Sequence, residues 1–342
     1  MLFVLIFLLA VPAGAQEMTA PPAPDSVEDL MPVETESFGK ALWYVIRKAI
    51  FREQGGLSQA MGICVSLICT VLIAGVLQQL PGDSKQAVEL ACVVGVSLLL
   101  INGTKSFISL GRETVQDISE YGKLLLPVMT VSLAAQGAVT ASAALYTGTA
   151  VFDSLLSTLI AKVLTPLVYL FLVLSVVTSA TQEPMLKKLQ GFSKWLVSWS
   201  LKTVLYIFTG YIGITGVVSG SADAAAIKAA KLTISGVVPV VGGILSDASE
   251  AVIVGSGVLR SAVGVYGLLA ICAIWIGPFL QIGIQYLMLK LTAGICSIFG
   301  SKRLTELIGS FSTAMGLLLG MTGACSFMLL ISTVCMMKGV GT

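Results

Sequence analysis

Ionisable residues are scarce in this chain, and chemistry would sit where they interrupt apolar sequence. The densest such place runs from Ser219 to Arg260 and reads SGSADAAAIKAAKLTISGVVPVVGGILSDASEAVIVGSGVLR. It holds Asp223, Lys228, Lys231, Asp247 and Glu250 around a Pro239 and Gly242-Gly243 break. Asp247 and Glu250 have the Asp-x-x-Glu spacing that caps a helix, not the separation of an acid–base pair. A second place is Lys162, set in Leu-Ile-Ala-Lys-Val-Leu, with Asp153 nine residues before it. An ionisable group within a membrane span is a functional candidate by default. Lys162 falls near a helix end, however, where its stem can snorkel to the headgroups.

Other chemistry is excluded by what is missing. With no histidine, there is no Ser-His-Asp or Cys-His site, no histidine metal centre and no histidine-ligated haem. No G-x-x-x-x-G-K-[ST] run exists, so the chain carries no Walker-type nucleotide site. A net charge of +2 gives no nucleic-acid footprint. The seven cysteines, Cys64, Cys69, Cys92, Cys272, Cys296, Cys325 and Cys335, lie in or beside apolar runs without a C-x-x-C pair. They read as small buried hydrophobes. No cofactor or metal is implied.

The elements that position the Ser219–Arg260 residues follow from local signals. Asp223 N-caps a short alanine-rich helix carrying Lys228 and Lys231. That helix enters an apolar segment, Leu232 to Leu245, broken by Gly236, Pro239, Gly242 and Gly243. The segment is too short to span a bilayer and has the length of a re-entrant element. A broken helix at membrane depth needs protein or water around its freed backbone groups. Two readings stand: the break lines a pore or subunit junction, or it is an interfacial hairpin whose charges face water.

The rest of the chain fits a membrane setting. Of 342 residues, 56% are hydrophobic and 11% charged, with mean hydropathy +0.95; a soluble domain carries about 25% charged residues. Apolar runs near 20 residues fall at 59–80, 86–109, 122–146, 160–181, 195–218, 262–289 and 305–336. Polar joints at 81–85, 112–121 and 182–194 separate some of them. The predicted fold is all-α: a polytopic bundle of about seven spans plus the broken segment, within residues 57–342.

Ahead of it, Leu2–Val11 and Ala13-Gly14-Ala15 form an apolar run and an A-x-A cleavage site. A signal peptide over 1–15 is expected, although no Lys or Arg precedes the run. Residues 16–37, with four prolines and six acidic residues but no basic one, read as a flexible stalk. Residues 38–56 read as an amphipathic interfacial helix, with Trp43, Ile46, Ile50 and Phe51 against Lys40, Arg47, Lys48 and Arg52. Cleavage exports the stalk, whereas the distribution of Lys and Arg places it inside, so orientation stays open.

Small residues suggest how the helices meet. Gly210, Gly213, Gly216 and Gly220 share one helical face, and Gly316 and Gly320 form G-x-x-x-G. Such faces permit close backbone approach in lipid, either inside the chain or between copies in a homo-oligomer.

Gly-Val-Val-Ser-Gly-Ser-Ala-Asp at 216–223, Lys228 with Lys231, Val-Pro-Val-Val-Gly-Gly at 238–243, Ser246-Asp247-Ala248 and Val263-Gly264 resemble the core of the stage III sporulation protein AE family. The layout of signal, stalk and multi-span body is similar too. The resemblance implies a mother-cell membrane protein facing the forespore, in a channel or secretion-like complex needed for endospore development. Its implied partners are other sporulation membrane proteins and an associated ATPase. A self-contained secondary transporter with its site at the broken helix is the alternative. It lacks the second broken segment that many transporters carry. A membrane-embedded enzyme fits least, for want of acid–base or metal residues.

Overall fold

The computed structural model describes residues 20–32, 38–77, 85–135, 139–214, 262–299 and 302–338. Over these the chain is helical, with no strand among the described residues. In chain order the helices are α1 (Phe38–Arg52), α2 (Gln54–Leu77), α3 (Lys85–Ala135), α4 (Val139–Leu159), α5 (Thr165–Thr181), α6 (Pro184–Ile214), α7 (Ala262–Phe299) and α8 (Lys302–Lys338). A π-turn, Ile160–Leu164, joins α4 to α5. Five helical segments are long and apolar enough to cross a membrane: Ala60–Leu77, Ala87–Leu133, Ser142–Thr181, Val263–Ile298 and Lys302–Met337.

About seven spans are expected, and the described residues give five such segments. The run at 86–109 continues through 112–121 to Ala135 in one helix, and the run at 160–181 is part of a longer segment from Ser142. The run at 195–218, whose described part lies in α6, is not among the five. Residues 112–121 lie inside α3, a single helix of 51 residues and thus about 76 Å long. No Gly or Pro interrupts Arg112–Tyr121, and its polar side chains bond one turn apart. Ser109 Oγ donates to Glu113 at 2.8 Å, and Gln116 Nε2 to Glu120 at 2.9 Å. Beneath them Val115, Ile118, Tyr121, Leu125 and Met129 are buried at helical spacing, so packing and propensity agree. The expected joint at 182–194 shrinks to Gln182 and Glu183. Gln182 takes the left-handed conformation (φ 60°), and its amide bonds to Thr178 O at 2.8 Å, closing α5. Pro184 then starts α6, where a missing amide costs nothing.

The π-turn also has a cause in sequence. Pro166 has no amide hydrogen, and its ring would press on the carbonyl of Lys162 in a regular helix. Widening the preceding turn removes that clash without ending the helix. Lys162 sits on this turn, exposed.

The core is built around α8, which packs on α3, α4, α5, α6 and α7. Leu307, Ile308, Phe311, Leu317, Leu318, Leu319, Ala324 and Leu330 are all buried, and beyond Lys302 no described side chain of α8 is exposed, so protein surrounds most of the helix. Five of its hydroxyls are absorbed locally, since Ser310, Thr313, Thr322, Ser332 and Thr333 each donate to a carbonyl four residues earlier. Ser312 donates instead to Tyr286 O of α7, and the Thr305 and Ser326 hydroxyls have no hydrogen-bond partner. α7 is the main neighbour of α8 and also carries α1 and α2 on its other side.

Residues 20–32 are packed against the bundle, unlike a freely flexible stalk. Ala23, Val27 and Leu30 are buried. The Ala23 amide donates to Tyr266 Oη at 3.3 Å, and Tyr121 Oη donates to Pro21 O at 3.5 Å. Asp29 pairs with Arg52 at 3.3 Å, and Lys48 Nζ bonds its carbonyl. The basic face of α1 therefore holds part of the acidic segment. Glu53, the one residue between α1 and α2, is buried and accepts from Gln281 Nε2 at 2.8 Å.

Candidate functional site

The most deeply buried carboxyl group among the described residues is that of Asp153. It is 3% exposed, on α4, where α3 and α8 converge. Ser119 Oγ donates to its Oδ2 at 2.6 Å and stands 3.5 Å from Ser157 Oγ. Oδ1 has no hydrogen-bond partner and no contact with solvent. Lys123 on α3 and Cys325 on α8 both interact with it electrostatically. One turn along α4, Thr149 Oγ1 donates to Ser332 Oγ at 3.0 Å. Together these groups form a polar seam through an apolar bundle, and a half-satisfied carboxyl within it is costly to keep. A group kept at that cost can hold a proton or a small cation, or pin α3, α4 and α8 in one register. In one dimension Asp153 shows a single sign of this, an aspartate in an apolar run, and Lys162 nine residues on shows the same sign. Only the fold shows that Lys162 points outward and Asp153 inward.

The other sequence-derived residues distribute as follows. Asp223, Lys228, Lys231, Pro239, Gly242, Gly243, Asp247 and Glu250 lie outside the described residues, as do Gly216 and Gly220. Gly210 and Gly213 are exposed on α6, and a Cβ at either would meet nothing within 4 Å. A Cβ at Gly316 would come 3.2 Å from the Tyr286 ring, and at Gly320 3.8 Å from Leu201. Both face inward, toward α7 and α6. The tightest approaches are at glycines that no spacing pattern singles out. Gly148 receives the ring of Tyr211, whose hydroxyl donates to Ala144 O at 2.7 Å. Gly264 receives Met337, and Gly267 receives Leu125 at 2.7 Å.

Two ion pairs lie at one end of the bundle. Lys187 meets Glu306 at 2.9 Å, and Arg303 meets Glu89 at 3.4 Å. Arg303 also reaches Ala180 O at 3.5 Å, close to the αL residue that closes α5. Among the described residues no three Cys, Asp or Glu gather as a metal site. None of Cys64, Cys69, Cys92, Cys272, Cys296 and Cys325 forms a disulfide.

Comparison with known proteins gives this architecture a family. The family model for stage III sporulation protein AE matches residues 25–340. The chain belongs to the stage III sporulation protein AE family. A curated member, "Stage III sporulation protein AE" of Bacillus subtilis (strain 168), is 24% identical over 269 residues. The match covers 78% of this chain and 67% of that relative. No solved structure matches. In this chain apolar helices enclose α8, with a polar seam at Asp153. Membership supports a sporulation role, and the five apolar helical segments support association with a membrane.

Proposed function

We propose that this chain is a multi-pass membrane subunit of a channel or secretion-like complex linking the mother cell to the forespore. It acts by assembly, or as a gate or pore subunit, and resides in the mother-cell membrane facing the forespore. The observation that carries this reading is the family match over residues 25–340. The residues agree with it, since the chain has neither histidine nor a Walker motif and any energy input comes from a partner or a gradient. Other sporulation membrane proteins and an associated ATPase are the proposed partners, with further copies of the chain. The segment around Pro239, Gly242 and Gly243, with Asp223, Lys228, Lys231, Asp247 and Glu250, is the proposed pore or assembly element. No enzymatic activity is proposed.

The test is crosslinking in membranes of sporulating cells, followed by purification and mass spectrometry. Recovery of a large assembly with an ATPase and other sporulation membrane proteins supports the reading; a lone monomer contradicts it. A second reading, a self-contained secondary transporter, is favoured by one observation: Asp153 buried with an open acceptor oxygen. Buried carboxylates mark ion paths in such proteins. Solute uptake by the purified chain in liposomes, lost in Asp153→Asn, would establish it.

A further inference from the structure

α3 carries a polar stripe where the neighbouring helices expose apolar surface. Asn102, Lys105, Ser106, Ser109, Arg112, Glu113, Gln116, Glu120 and Lys123 are all exposed. Their steps of one, three and four residues place them on one helical face. From Asn102 to Lys123 the stripe is about 31 Å long, close to the hydrocarbon thickness of a bilayer, about 30 Å. The opposite face, with Ile108, Val115, Ile118 and Leu125, is buried in the bundle.

Residues on the other helices fix the level of the stripe. Ser119, between Gln116 and Glu120, bonds to Asp153 on α4. On either side of Asp153, Val151 is 58% exposed and Leu155 51% exposed. Phe152 packs on Phe208 of α6, which brings exposed Tyr206 and Ile207 to the same level. At one height, then, the bundle shows apolar side chains on α4 and α6 and charged ones on α3. Lipid suits the first surface. Facing hydrocarbon, each charge of the second would cost roughly 2.5–3.5 kcal/mol on insertion scales.

We infer that the α3 stripe faces a water-filled passage at membrane depth, whose opposite wall is the same face of a second copy of this chain. One helix cannot enclose a path. The stripe balances Lys105, Arg112 and Lys123 against Glu113, Glu120 and half-buried Asp117, so two copies face each other without net repulsion. This deepens the channel reading and rests on it only for what the passage serves.

Cysteine accessibility in the full chain tests it, in membranes of sporulating cells and with wild-type labelling of the native cysteines subtracted. The stripe variants are Gln116→Cys and Glu120→Cys; the lipid-side variants are Val151→Cys and Leu155→Cys. A charged, membrane-impermeant methanethiosulfonate should label the stripe variants about tenfold faster or more, since apolar surroundings suppress the reactive thiolate. A lipid-soluble maleimide should label the other two, which shows that they are folded and reachable. Unreactive stripe cysteines would mean a dry contact, and equal charged-reagent rates at all four would place this level outside the membrane; either overturns the inference. Glu120→Cys should also give a dimer of the chain with a water-soluble bis-maleimide, and no dimer at any spacer length removes the second copy. A hydrated stripe with normal sporulation in Gln116→Trp instead contradicts the channel reading and leaves the wet face standing.

Discussion

The hydroxyl of Ser119 on α3 donates a 2.6 Å hydrogen bond to Oδ2 of Asp153 on α4, buried among apolar helices. That bond joins the helix carrying the polar stripe to one of those exposing apolar surface, and α8 closes over it. Removing the donor strands the carboxyl, whose other oxygen already lacks a partner. Ser119→Ala is expected to destabilise the detergent-solubilised protein by about 1–3 kcal/mol, measured as a lower melting temperature. Asp153→Leu removes the acceptor as well, and the double variant should lose less than the sum of the singles, as coupled positions do.

Glycine substitutions separate enclosed from open positions. Gly148→Ala drives a methyl into the Tyr211 ring and is expected to cost about 1–3 kcal/mol, as overpacked cores do. Gly210→Ala and Gly213→Ala add a methyl to open surface and should be neutral or slightly stabilising through helix propensity, by about 1 kcal/mol at most. Thermal unfolding in one detergent compares all three, and equal losses would contradict the packing described.

The continuity of α3 predicts slow backbone exchange where a loop was expected. Amides of residues 112–121 lie in helical hydrogen bonds above a buried face. Hydrogen–deuterium exchange should show them protected to the same degree as residues 104–111, whereas a polar joint would exchange within seconds.

The two ion pairs at the end of the bundle should differ. Lys187 and Glu306 are 60% and 40% exposed, against 22% and 21% for Arg303 and Glu89. Lys187→Ala is expected to change stability by less than about 1 kcal/mol, and by less still in high salt. Arg303→Ala should cost more, because Glu89 stays partly desolvated and Ala180 O loses its donor. Melting temperatures at two ionic strengths distinguish them.

If the Ser219–Arg260 segment serves assembly or passage, its break cannot be filled. Pro239→Ala, Gly242→Leu and Gly243→Leu are each expected to reduce sporulation or recovery of the complex, while Gly213→Ala does neither. Normal spore yield with all three would remove the emphasis on this segment.

Composition alone determined the solvent and the fold class. With 38 charged side chains in 342 residues, the chain cannot cover itself for water, and apolar runs of spanning length can only be helices in lipid. Excluded chemistries were equally legible, because a missing histidine or phosphate loop does not depend on folding. Helix ends were less so. Arg112–Tyr121 has the composition of a loop, yet its alternate face is apolar and α8 takes it up, so tertiary burial made it helix. Lys162 and Asp153 look alike in one dimension, as charges in apolar sequence. Which turns outward depends on the helix phase set by the π-turn at Ile160–Leu164 and on where α3 and α8 dock. The same holds for glycines: spacing marked Gly210 and Gly213, but what a glycine receives is decided by the neighbouring helix. Sequence period fixes which residues share a face. Only packing decides whether that face meets protein, lipid or water.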